Sequence, residues 1–91
     1  MKKFLALLVL SGLALASAPA AVTNRTVVYQ DGETVLEGQL VWDDARPTPL
    51  PGLLMFHQWG GWGDYEQMRA RGLAEDGYAV FIADVYGQGI R

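Results

Sequence analysis

Nucleophilic catalysis needs a serine, cysteine or threonine beside a base, metal catalysis needs a cluster of ligands, and this sequence is poor in both. It has no cysteine and one histidine, His57. Its serines are Ser11 and Ser17, near the start of the chain, and no Gly-x-Ser-x-Gly elbow occurs. Thr23, Thr26, Thr34 and Thr48 sit in strand or loop positions without elbow glycines. One histidine and scattered carboxylates do not make a ligand set. Composition therefore argues against complete catalytic machinery within these 91 residues.

What the chain does offer is positioning. Gln58-Trp59-Gly60-Gly61 leaves an apolar run with small residues, so its backbone N–H groups can be aimed at a developing negative charge, as an oxyanion hole requires. The same residues also make an ordinary tight turn whose tryptophan fills a crevice, and the sequence does not separate the two. His57 could be a base, or a histidine hydrogen-bonded at a bend. Asp84 could be a functional carboxylate, or the cap of a turn at a strand end. Trp59 and Trp62 could line a pocket or simply pack.

The elements around them read clearly. Leu53–Phe56 is a short apolar run, as in a strand buried on both faces. Gly60, Gly61 and Gly63 make a loop. Asp64 with Gln67 reads as the cap of a helix over Asp64–Asp76, which Gly77 ends in a left-handed conformation. On that helix Tyr65, Met68 and Gly72 share one side, and Ala70, Leu73 and Ala74 another. Tyr78–Ala83 is the second strand. The whole is one βαβ unit with an expected right-handed crossover. Ligands of open α/β sheets bind beyond the carboxyl ends of strands, so the functional edge is expected at His57–Gly63 and Asp84–Gly89.

Before it, Arg25–Tyr29 and Glu33–Trp42 read as an antiparallel hairpin turned at Asp31-Gly32. Alternation places Thr34, Leu36, Gly38, Leu40 and Trp42 on an apolar face, with Glu33, Glu37 and Gln39 on a wet one. Asp43–Pro51, with three prolines, is a loop. Met1–Ala20 reads as a secretory signal peptide. Lys2 and Lys3 precede an apolar stretch, Phe4–Ala16, and cleavage is expected after Ala20, with Ala16 the other candidate. The expected address is periplasmic or secreted, with no membrane attachment after cleavage. Residues 21–91 keep all ten acidic residues but only the arginines among the basic ones, so no nucleic-acid partner is expected.

Taken in order, Val-Tyr-Gln-Asp-Gly-Glu, Leu-Glu-Gly-Gln-Leu-Val-Trp-Asp-Asp, His-Gln-Trp-Gly-Gly, Ala-Arg-Gly-Leu-Ala-Glu-Asp-Gly-Tyr and Ala-Asp-Val-Tyr-Gly-Gln-Gly-Ile-Arg resemble the dienelactone hydrolase family. The likeness covers essentially all of residues 21–91. It implies an α/β fold, the N-terminal part of an α/β-hydrolase with a mostly parallel sheet. It also implies an enzyme of ester or lactone bonds acting on a small substrate without a cofactor or metal. The family's Cys-His-Asp triad, sometimes with serine as nucleophile, lies in later parts of the chain and has no counterpart here. Trp59 matches the residue whose backbone N–H contributes to the oxyanion hole. Gln58 falls where the family commonly has a glutamate that interacts with the nucleophile. Glutamine cannot ionise, which puts a charge-switch role in doubt and leaves hydrogen bonding.

Residues 21–91 are thus expected to be an N-terminal fragment of such a domain, since no capping element follows the last strand. The alternative is a catalytically inactive short binding module. A dinucleotide-binding half-domain fails because Glu66 stands where the last glycine of that fingerprint belongs.

Overall fold

The computed structural model describes residues 21–90, so the expected leader, Met1–Ala20, lies outside the described residues. Strands β1 (Val22–Asp31) and β2 (Thr34–Asp43) form the hairpin, and β3 (Gly52–Phe56), helix α1 (Asp64–Glu75) and β4 (Ala79–Ala83) form the βαβ unit. The sheet order is β1-β2-β4-β3. The pairings β1/β2 and β2/β4 are antiparallel and β3/β4 is parallel, so the described part of the sheet is mixed.

The hairpin turn lies one residue later than expected. Asp31 pairs with Thr34, leaving Gly32-Glu33 as the two-residue loop, with Gly32 at φ +60°. A positive φ at the first central position and none at the second is the pattern that demands glycine first. The helix start is displaced as well. Gly63 is the N-cap, and the Glu66 carboxylate, rather than Gln67, accepts its N–H at 2.9 Å. Asp64 falls inside the first turn, where its charge suits the helix dipole. The other end is as expected. Gly77, at φ +106°, donates to the Ala74 carbonyl, and Tyr78 donates to that of Leu73, which is the Schellman pattern. Arg46, reaching from the proline-rich loop, donates to the Glu75 carbonyl at 2.8 Å.

Helix α1 covers one face of the sheet, and that choice reverses the reading of β2. Register places Val41 opposite Val80 and Gln39 opposite Ile82. These residues are buried with Trp62, Ala70 and Ala74 in the core beneath the helix. The expected wet face is therefore the helix-covered one. Gln39 is tolerated there because its amide donates to Thr26 Oγ1 at 2.8 Å. Alternation alone could not identify the covered face, because Val35 and Val41 make both sides of β2 partly apolar. On α1, the side carrying Ala70 and Ala74 packs, while Tyr65 and Met68 point outward.

β3 is an edge strand among the described residues rather than one buried on both faces. Leu54 and Phe56 remain 61% and 62% exposed because nothing described covers the face away from α1. On that same face, Gly38 makes room for Phe81, whose ring tilts against Tyr29 at 5.7 Å between centroids. A Cβ on Gly38 would stand 2.5 Å from the Ile82 carbonyl oxygen and 2.8 Å from the Phe81 ring. Gly38→Ala is therefore expected to cost about 1–3 kcal/mol, towards the upper end because the obstacle is backbone. A urea midpoint unchanged from wild type in the intact protein would refute this.

Candidate functional site

β3 and β4 run parallel with Phe56 beside Ala83, so the loops leaving their carboxyl ends emerge side by side. This brings together the two segments expected to form the functional edge. His57 bridges them. The Val85 N–H donates to His57 Nε2 at 3.3 Å, which leaves Nδ1 to carry the proton and donate to the Gln58 carbonyl at 2.7 Å. The imidazole also packs against Tyr86, with ring centroids 4.7 Å apart. Both ring nitrogens are thus engaged in holding the loops, and His57 acts as a bend-fixing histidine here.

Gln58 to Gly61 closes as a β-turn, with Gly61 N–H donating to the Gln58 carbonyl at 3.0 Å. Neither Trp59 nor Gly60 has a positive φ, which selects the type I geometry, and glycine at its fourth position is favoured. Trp59 occupies the second position. Its indole is 90% exposed and fills no crevice, so of the two tryptophans only Trp62 packs, with Nε1 donating to the Glu37 carbonyl at 2.7 Å. The Trp59 carbonyl accepts the Tyr86 hydroxyl at 2.6 Å. Among the described residues no acceptor takes the Trp59 N–H. The turn is therefore held by its carbonyls while that donor stays available. The Gln58 side chain is exposed and likewise has no partner among the described residues.

Asp84 turns out to be the anchor of the second loop. Only 2% exposed, it accepts the Glu37 N–H through Oδ2 and those of Tyr86 and Gly87 through Oδ1, at 2.9, 3.0 and 3.2 Å. Burial raises the carboxyl's pKa, but these N–H groups, with His57 nearby, outweigh it and hold the group below the ordinary carboxylate range. It is a charged cap at neutral pH. Tyr29 completes the anchoring from β1, its hydroxyl donating to the Asp84 carbonyl and accepting the Asp84 N–H, each at 2.7 Å. Tyr29 and Tyr86 carry no sequence signal for these roles, since both depend on contacts between distant segments.

Among the described residues there is no serine or cysteine, and no group of three or more metal-ligating side chains. No helix among them is long and apolar enough to cross a membrane. A hollow of about 460 Å³ opens on the uncovered sheet face, lined by Tyr29, Leu36, Leu54 and Phe81 among others. Gln58 and Trp59 do not line it, so it is distinct from the turn. The site presents one backbone N–H without an acceptor among the described residues and one exposed neutral amide at a strand end, beside a second loop anchored by Asp84.

A family model for the dienelactone hydrolase family matches residues 36–91. Among solved structures, one named m3DLH is 39% identical, with a TM-score of 0.72 over 76% of this chain and 29% of its own. A dienelactone hydrolase-like promiscuous phosphotriesterase from metagenomic libraries is 38% identical, with a TM-score of 0.74 over 77% of this chain and 29% of its own. A Klebsiella pneumoniae subsp. pneumoniae structure described as a dienelactone hydrolase is 17% identical, with a TM-score of 0.65 over 72% of this chain and 28% of its own, a likeness of fold alone. The chain thus spans under a third of the length of these structures. No curated protein sequence matches it.

Proposed function

This chain belongs to the dienelactone hydrolase family and carries part of its α/β-hydrolase fold, and from that premise we propose that it is the N-terminal portion of an exported hydrolase of ester or lactone bonds. The observation that carries the reading is the Trp59 turn. Its carbonyls are tied to Gly61 and Tyr86, and its N–H is left for a ligand at the carboxyl end of β3. In the proposed reaction a nucleophile from outside these residues, cysteine or serine, attacks the substrate carbonyl. The carbonyl oxygen becomes an oxyanion, and the Trp59 N–H donates to it. Such a donor acts more strongly on the developing charge than on the neutral carbonyl, so it accelerates the reaction rather than merely binding substrate.

Gln58, beside it, would hydrogen-bond the nucleophile or the substrate in this scheme. Its amide carries no charge to exchange with a thiol or hydroxyl. This differs from the family's usual glutamate, so activation of the nucleophile falls to the groups that accompany it. No cofactor or metal enters this scheme. Export to the periplasm or beyond is supported by the features of Met1–Ala20, and the substrate is a small ester or lactone.

A second reading is favoured by one relative, the promiscuous phosphotriesterase, because a phosphoryl oxygen also gains negative charge on attack and would use the same donor. The intact protein from its native source, assayed against an activated carboxylic ester, a lactone and a phosphotriester, decides between them. Carboxylic ester or lactone turnover is expected to exceed phosphotriester turnover. Hydrolysis of none of the three would overturn the enzyme reading in favour of a binding module.

A further inference from the structure

Asp43 ends β2 with only 3% of its surface exposed, so both carboxylate oxygens must find partners within the fold. Oδ1 accepts the Ala45 N–H at 2.9 Å, which is an ordinary turn-closing bond. Oδ2 lies 3.4 Å from Arg46 Nε. The remaining bond is of another kind. The backbone nitrogen of Ala21, distant in sequence, donates to Oδ1 at 2.9 Å, while the Ala21 carbonyl accepts the Asp44 N–H at 2.9 Å. Ala21 is held on both sides, and it is the residue that follows the expected cleavage bond.

We infer that Asp43 is the receptor for the amino terminus created by signal cleavage, with the Ala21 α-ammonium and the Asp43 carboxylate forming an ion pair that latches β1 to the end of β2. The inference rests on the export reading above. In the cleavage step a signal peptidase adds one water across the Ala20–Ala21 amide. The C–N bond breaks, the water oxygen joins the Ala20 carbonyl to give a carboxylate on the released leader, and the nitrogen stays on Ala21 as an ammonium.

The geometry needs no rearrangement, because the nitrogen that becomes charged already sits at hydrogen-bond distance from the carboxylate. A neutral donor becomes a cationic one, and charge-assisted bonds are about twice as strong as neutral ones. Before cleavage the counter-charge on Asp43 is Arg46, which is shared with the Glu75 carbonyl at the end of α1. The neighbouring Asp44 adds a second carboxylate to the same turn. A second cation therefore suits the site. The N–H groups of Ala21 and Ala45, with Arg46, already hold the Asp43 carboxyl below its ordinary range.

The test uses the exported protein as isolated from its source. Its first residue is identified by sequencing and intact mass, and its α-amine is then acylated at about pH 7, near the ordinary α-amine range. Residues 21–91 contain no lysine, and the tryptic peptide Ala21–Arg25 reports the α-amine alone. The expected result is a start at Ala21 and acylation about tenfold slower in the folded protein than in concentrated guanidinium, the factor produced by raising the amine by about one pKa unit. That protection should vanish at higher pH, unlike protection by burial, and should be lost in Asp43→Asn. A start at Met1 overturns both the latch and the export reading. A start at Ser17 overturns the latch alone, as does a start at Ala21 with equal rates folded and unfolded.

Discussion

Trp59→Pro is expected to lower kcat of the intact hydrolase about 100- to 1000-fold, about 2.7–4 kcal/mol of lost oxyanion stabilisation, with KM little changed. Proline deletes the N–H and nothing else the turn uses. The bond closing the turn runs from Gly61 to Gln58, and the tyrosine bond lands on the Trp59 carbonyl. Proline is favoured at the second position of a type I turn, which is where Trp59 lies, so the loop should keep its shape. The matched control is Trp59→Ala, which removes an indole that is 90% exposed and keeps the N–H. It should leave kcat within a few-fold of wild type. If both variants lose activity equally, the side chain rather than the backbone donor is what matters, and the oxyanion assignment is wrong.

Asp84→Ala is expected to be the most destabilising change at the site, costing about 3 kcal/mol or more. It leaves the N–H groups of Glu37, Tyr86 and Gly87 without their charged acceptor in a nearly buried position. The loss should appear as a lower urea midpoint of the intact protein, accompanied by reduced activity because Tyr86 would no longer be held to the Trp59 turn. Asp84→Asn keeps an acceptor oxygen and should cost less. The charge itself can be read from pH. The folded-state pKa of Asp84 is depressed, so its contribution is present above the unfolded value, about pH 4, and is lost as pH falls through the lower folded value. Asp43 adds a contribution of the same sign. Asp84→Asn should flatten the acid limb of the stability curve, and an acid limb identical to wild type would contradict the assignment.

The βαβ unit was legible because its signals are local. An apolar run, a glycine loop, a capped helix and Gly77 each declare themselves within a few residues. The cap was misplaced by one position because Asp64 and Gly63 compete for it, and Glu66 settles the matter by reaching back to Gly63. The buried face of β2 was not legible, since it depends on where α1 lands, and α1 comes after a loop and another strand. The same holds for the site. The Gln58-Trp59-Gly60-Gly61 turn could be located from its residues. Its support by Tyr86, and that of Asp84 by Tyr29 and Glu37, joins segments that only the folded sheet brings together. Helix-end chemistry reads from sequence; handshakes between loops do not.

The last strand in the described chain lies between two earlier ones, β2 and β3. As the chain emerges N-terminus first, the β1–β2 hairpin can close on its own, within about 1–10 μs of both strands being available. β3 cannot join it, because its sole strand partner among the described residues is β4. For the whole interval in which residues 57–83 are still arriving, Gly52–Phe56 is an apolar strand with no partner. Pro47, Pro49 and Pro51 stand directly before it, and residues without an N–H to donate are poor templates for a foreign strand. Prolines flanking an apolar strand in this way are expected to limit its pairing with foreign strands while its own partner is still absent.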